Sequence, residues 1–355
     1  MKIKQMCMLV LLWLGVIPAM QAQTFDKLWK EVEQAEKKSL PQTVIKLTGE
    51  IYQKGEMEKN SPQMLKAYMW RMKYRDMLTP DSLYTGLQEL KQWAKQADKP
   101  MDRAILHSLI AGMYADYAAN NQWQLRQRTE IAGEAPSADM REWTANMFVE
   151  KVRTNVKEAM ADSVLLLNTS SRTYIPFVEL GETSEYYHHD MYHLLASRSI
   201  EALQRIQGLD RTTPIEAYSE ETSSEKESLV KQDIERIYDQ MLTSYKAKGD
   251  KEGCLLTSLN YLNWKHGTSK SFREPFRVKK GGTYMTFDPY ETGLDALKTE
   301  YKSLDLCAEV YLAQANNAIG KEQETVALQL CDEAIRLYPG YRRINASVSY
   351  THLTL

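Results

Sequence analysis

Apolar side chains return every third or fourth position over most of this chain, the spacing that gathers them on one face of a helix with 3.6 residues per turn. Leu28, Val32 and Ala35 mark the first such run, Phe25 to Lys38, and Leu40-Pro41 breaks it. Pro41 suits the first position of a following helix, where its missing N–H is not needed, and Val44, Leu47 and Ile51 carry that helix to Gly55. Asn60-Ser61-Pro62 caps a third helix with Leu65, Met69 and Met72 on its face. Thr79-Pro80-Asp81 opens a fourth on Leu83, Leu87, Leu90 and Ala94, and after Lys99-Pro100 a fifth begins on Ile105, Leu109 and Met113 and ends near Asn120-Asn121. Helices separated by short, proline-bearing turns predict an antiparallel right-handed stack and not a sheet.

Beyond a short helix from Gln122, the linker Ala132 to Ser137 leads into a long one reaching about Leu167. Met140, Met147, Val152 and Val156 give it an apolar side, and Trp143 and Phe148 read as core aromatics. The periodicity stops from Asn168 to Glu185. Tyr174-Ile175-Pro176-Phe177-Val178 is apolar but interrupted by proline, which predicts an extended segment laid on the helices. A polar break spans Gly208 to Ser224, and helical spacing resumes with Leu229, Ile234, Ile237 and Met241. Gly249 and Gly253 bound a turn before a helix to about Lys265. His266 to Tyr290 is again aperiodic, and Lys280-Gly281-Gly282 fits a small hairpin turn.

The last periodic stretch, Leu304 to Tyr341, reads as a helical hairpin. Leu304, Ala308, Tyr311 and Ala315 line one helix, and Ala327, Cys331, Ala334 and Tyr338 line the other. Gly320-Lys321 supplies the turn, and Pro339-Gly340 stops the second helix, with glycine available for a left-handed cap. Small residues at Ala315, Ala327 and Ala334, with Pro339 following, resemble a tetratricopeptide-type repeat. One such hairpin cannot bury its own face, so neighbours must stack on it. The expected fold is all-α: antiparallel helical hairpins stacked as a tetratricopeptide-like superhelical array with minor irregular loops. Its expected parts are a signal peptide (1–22), a helical array (23–131), a long helix with a loop and a further helix (132–207), helices with an irregular loop (208–303), the closing hairpin (304–347) and a non-native tail (348–355).

A chain of 355 residues with 43% hydrophobic content has ample material for a core. Its 45 basic and 47 acidic residues leave a net charge of -2 and no basic block, which argues against nucleic-acid binding. Lys2 and Lys4, the apolar run Met6 to Ile17 and the region Pro18 to Ala22 have the layout of a secretory signal peptide, cut after Ala22. No later segment is apolar and long enough to cross a bilayer, so the expected product is exported, periplasmic or associated with the cell envelope. Cys254, Cys307 and Cys331 remain in the mature chain. Cys307 and Cys331 lie on facing helices, so a disulfide between them and a pair of buried free thiols are both open.

The run Ser184 to Arg198, SEYYHHDMYHLLASR, is the least generic. His189 and His193 share a helix face, with His188 and Asp190 beside them, an arrangement that can hold a metal. A zinc hydrolase of the helical type needs glutamate directly after its first histidine, and Asp190 stands there. The competing reading has Asp190 capping a helix that begins at Met191, while the tyrosines and histidines pack the entrance loop. No Gly-x-Ser-x-Gly, phosphate-cradling glycine loop or Cys-x-x-Cys is present. The expectation is a protein that is not an enzyme, with no catalytic or cofactor-binding residues and no cofactor.

FDKLWKEVEQAEKKSLPQTVIKLTGEIYQKG, LTPDSLY, AILHSLIAGMYADY, EAPSADMREWTANMF and YYHHDMYHLLASR, following an exported N-terminus, together resemble the N-terminal helical region of large alpha-2-macroglobulin-like proteins of Bacteroidetes. The resemblance runs from Phe25 to about Ala346. It implies a non-catalytic helical scaffold for an endopeptidase inhibitor that traps proteases, with downstream macroglobulin domains, and a protease or envelope protein, as its partners. Bait and thioester regions are the family's functional features. Cys307-Ala308-Glu309-Val310 and Cys331-Asp332-Glu333-Ala334 each lack the glutamine of a thioester motif, so no thioester residue carries over. Val348 to Leu355, VSYTHLTL, resembles the translation of a sequencing-library adapter, which makes a gene fragment with a non-native tail the expectation. The rival expectation is a self-sufficient envelope module that binds a peptide, protein or glycan through its tyrosine-rich loops, Tyr174 to Tyr192 and Phe272 to Tyr290.

Overall fold

The computed structural model describes residues 24–79, 82–128, 137, 139–179, 181, 184–186, 189–210, 228–280 and 283–341. The expected signal peptide, the linker 132–136, most of the break after Gly208, the turn glycines Gly281 and Gly282, and the tail all lie outside these residues. The described chain is mostly helical, and its strands form one two-stranded sheet. It divides into two compact units. One holds the described residues up to Gln92 with Arg172–Glu179, and the other holds the described residues from Trp93 to Ser171 and after Leu180.

In the first unit, α1 (Phe25–Lys37), α2 (Pro41–Met57) and α3 (Ser61–Leu78) follow one another through tight turns, and α4 (Ser82–Gln96) begins there. Thr24 caps α1 and Asn60 caps α3, each side chain accepting a bond from a first-turn N–H. Leu28, Val32 and Ala35 pack with Val44, Ile51 and Ala67 into one cluster. On α3 the buried apolar positions are Leu65, Ala67 and Tyr68, while Met69 and Met72 are only half-buried. The Tyr68 hydroxyl explains that rotation, since it donates to the Gly86 carbonyl at 2.8 Å and brings α4 against that side. A Cβ at Gly86 would meet the Met72 side chain at 2.9 Å, so α4 approaches over a glycine. The segment expected to be extended is not. Ser171–Tyr174 is a 3-10 turn, and backbone bonds from Ile175 to Arg172 and from Val178 to Tyr174 keep the chain curled, with a cis bond before Pro176. Tyr174 and Val178 are buried, and Ile175 is exposed.

The second unit holds α5 (Pro100–Asn120), α6 (Gln122–Arg126), α7 (Ala145–Ala159), α8 (Ser163–Asn168), α9 (Met191–Ile206), α10 (Leu229–Lys248), α11 (Lys251–Thr268), α12 (Lys270–Arg273), α13 (Pro289–Glu300), α14 (Ala308–Gly320) and α15 (Glu324–Leu337). Helix α5 packs on both α7 and α9, so its buried face is broad: Ile105, Leu106, Ile110 and Tyr114 lie inside, and Leu109 and Met113 sit at its half-buried margin. Trp143 and Phe148 are core residues, their rings 5.4 Å apart and both against Tyr114. The single long helix expected here is three pieces. Met140–Glu142 is a 3-10 turn, α7 ends at Ala159, and Asp162 restarts the chain as α8 by accepting from the Leu165 N–H at 2.9 Å. The aperiodic stretch after His266 contains α12 and an antiparallel hairpin of β1 (Phe276–Lys280) and β2 (Thr283–Phe287), with Lys280 opposite Thr283.

One turn geometry recurs in both units. Between α1 and α2, between α2 and α3, between α10 and α11, and between α14 and α15, a single residue takes the left-handed conformation: Ser39, Lys59, Gly249 and Glu322, with φ of 54°, 53°, 69° and 58°. In each, that residue's N–H bonds three residues back and the next N–H bonds five back, as in Leu40 to Ala35, Asn60 to Gly55, Asp250 to Tyr245 and Gln323 to Ala318. This is the Schellman closure, which satisfies the last helical carbonyls and reverses the chain within three residues. At the closing hairpin the left-handed residue is Glu322, since α14 runs on through Gly320, and Gly340 is not among the left-handed glycines. Ala315, Ala318, Ala327 and Cys331 form the close contact between α14 and α15.

Candidate functional site

Residues around the start of α9 carry the sequence's metal candidates. A short antiparallel bridge pairs Ser170 with Asp190, with backbone bonds of 2.8 Å from Ser171 to His189 and from Met191 to Thr169. That bridge fixes the entry of α9, and Asp190 caps it: Oδ1 accepts from the His193 N–H at 2.8 Å. Its other oxygen accepts from the Lys248 ammonium at 2.6 Å, at the end of α10, where a cation also favours the helix C-terminus. His193 turns inward and its Nδ1 is hydrogen-bonded to the Tyr245 hydroxyl. Burial pushes the His193 imidazole down to about 4, against the pull of Asp190, so the ring is neutral at physiological pH. His188 lies outside the described residues. No group of three or more His, Cys, Asp or Glu side chains placed to hold a metal occurs among the described residues. The carboxylate and the inner imidazole are thus occupied in holding α9 to α10.

His193 also opens onto a cavity of about 600 Å³, within the span of roughly 300–1,000 Å³ common to ligand sites. Helix α10 forms its floor with Tyr238 and Met241, and α9 and α11 form its walls. Going up α9 to its C-cap, the lining positions are His193, Ser197, Ile200, Glu201, Gln204 and Gln207, a single helical stripe that includes one carboxylate. On α11 they include Thr257, Asn260, Asn263 and Trp264. At one end the walls are tied together, the Trp264 indole N–H donating to Gln207 Oε1 at 3.0 Å. Tyr290 donates to Asn263 Oδ1 at 2.7 Å, leaving that amide's NH2 to donate elsewhere. Tyr238, Tyr261 and Trp264 stack on one another, and burial raises the Tyr238 hydroxyl to about 12.

Thr257 is the anomaly of this lining. It is 2% exposed, and its Oγ1 has no hydrogen-bond partner. Other helical threonines return their hydroxyl to the carbonyl four residues back, as Thr48 does to Val44 and Thr268 to Trp264, both at 2.7 Å. A buried hydroxyl without a bond is costly, and this oxygen is closed off from the groove as well as unbonded. Sequence reading found His193 and missed the rest of this groove. Its only advance signal was the presence of Gln204, Asn260 and Asn263 at helical spacing beside apolar positions, which on a single sequence reads as solvated surface.

Cys254, Cys307 and Cys331 are all buried free thiols, which closes the question left open between Cys307 and Cys331. Burial raises each thiol above its ordinary range, so none is a ready thiolate. Among the described residues, no helix is long and apolar enough to cross a membrane. No protein-family model matches this sequence, and no curated protein and no solved structure matches it either.

Proposed function

We propose that this chain is the non-catalytic N-terminal helical scaffold of an exported, alpha-2-macroglobulin-like endopeptidase inhibitor, its hairpins continuing as a tetratricopeptide-like array. The observation that carries the reading is what the resemblance-bearing stretches do in the fold. Trp143 and Phe148 from EAPSADMREWTANMF lie in the core, and Asp190 and His193 from YYHHDMYHLLASR are a helix cap and an interhelical bond. The least generic residues are therefore committed to holding helices together, as a scaffold requires. The fourfold repetition of the Schellman turn supports the array, because one supersecondary unit reused along a chain builds a stack from nearest neighbours. In this reading macroglobulin domains are its partners, it works in the periplasm or cell envelope, and it holds those domains or docks a protease or envelope protein.

The test is an inhibition assay. Residues 23–347, added in excess to an endopeptidase digesting a large protein substrate, should leave the rate unchanged, because bait and thioester regions lie elsewhere. Stoichiometric inhibition by this segment alone would contradict the scaffold reading. A second reading, a self-sufficient binding module, is favoured by the groove between α9 and α11, whose lining mixes amide and apolar side chains.

A further inference from the structure

We infer that the hairpin of β1 and β2 docks on an anionic lipid surface, its apolar side chains entering the bilayer interface and its cations meeting the headgroup phosphates. This goes beyond the scaffold reading and does not rest on it. Every side chain described on the two strands is exposed, on both faces, and a two-stranded hairpin with no covered face is marginally stable in water. The register sorts those side chains. Phe276 and Phe287 are cross-strand partners with rings 5.1 Å apart, and Val278 shares their face because alternate residues along a strand do. These three are 48%, 39% and 40% exposed, an apolar patch open to solvent. Arg277 and Lys279 lie on the other face with Tyr284, whose ring centroid is 5.7 Å from the Lys279 ammonium.

Charge decides what covers this patch. The whole chain carries a net charge of -2, yet Lys270, Arg273, Arg277, Lys279 and Lys280 fall in α12 and β1 with Glu274 as the one acidic residue among them. No three of these cations are adjacent, so they make no block along the sequence. Glu274 lies 3.8 Å from Lys270, and Asp288 at the foot of the hairpin is held by Lys321 at 2.8 Å, so both acids are already paired. The complementary partner is anionic. Exposed aromatic rings beside Lys and Arg have the composition of an interfacial anchor, in which rings sit at headgroup level and each cation adds attraction to acidic lipid. An acidic protein would need a cleft enclosing both exposed faces at once, whereas a bilayer interface needs no matching shape. A second copy would bring two like-charged hairpins together.

The test is cosedimentation with vesicles, using the chain from Gln23 onward so that the apolar run Met6 to Ile17 contributes nothing. One set of vesicles is phosphatidylcholine alone, and the other mixes it with phosphatidylglycerol at roughly three to one. The wild type should pellet with the anionic vesicles and stay in solution with the neutral ones. Arg277→Gln with Lys279→Gln should weaken the partition roughly thirtyfold, and Phe276→Ser with Phe287→Ser roughly tenfold. Helical content should not change, because all four side chains are exposed. No binding to the anionic vesicles would overturn the proposal, as would equal binding to the neutral ones or equal binding by the wild type and either double variant. Capture of soluble polyglutamate in place of vesicles would overturn it in favour of an acidic protein. A dimer in place of vesicle binding, lost in the phenylalanine variant, would overturn it in favour of a second copy. None of these outcomes bears on the inhibition assay, so this proposal and the scaffold reading fail separately.

Discussion

Replacing Thr257 with valine should stabilise the unliganded protein, because it removes a buried hydroxyl that makes no bond and keeps nearly the same shape. The expected gain is about 1 kcal/mol, read as a higher midpoint in urea unfolding. The opposite sign would mean that the hydroxyl is satisfied in solution. His193 makes a prediction about acid. Its imidazole titrates near 6.5 in the unfolded chain and is held down to about 4 when folded, by burial first and with Asp190 opposing. Between those values the unfolded chain binds the extra proton and the native state does not, so stability falls as pH drops from about 6.5 to 4. The loss is up to about 3 kcal/mol. His193→Gln should flatten that part of the curve, and urea midpoints at pH 7 and pH 5 for both proteins would show it.

Helix ends make the next prediction. Ser39, Lys59 and Glu322 each hold a left-handed backbone that costs a residue with a Cβ about 1 kcal/mol. Glu322→Gly should therefore raise stability by roughly that amount, and Gly249→Ala should lower it by a similar amount. Equal urea midpoints for wild type and both variants would show that the turn is not formed as described. The caps at Asn60 and Asp190 were legible in the sequence because a polar residue just before an apolar run has one strong local use. The left-handed residue of the closing hairpin was not. Gly320 advertised itself as the turn, yet α14 extends through it and leaves the strained position to Glu322, a choice set by where Ala315 and Ala318 meet α15. The break at Met160 escaped for a related reason. Apolar residues recur on both sides of it, Val152 and Val156 before and Leu166 after, and the cap at Asp162 marks the restart.

For the described residues taken together, periodicity specified a mostly helical body because helical spacing is local and repeats. The groove was invisible beforehand because it exists only where α9 and α11 flank α10, and each helix by itself shows an ordinary mixture of amides and apolar residues. Of its lining, His193 was found and Gln204, Thr257 and Asn260 were not. The scaffold reading depends on what this helical body is joined to, so the measurement to make is the nucleotide sequence of the genomic locus through and past the codons for Ala346 to Leu355. An inhibitor scaffold requires the natural frame to continue into β-rich macroglobulin repeats with a bait-like segment. A stop codon soon after Arg343 would contradict it and leave the helices as a binding module in their own right.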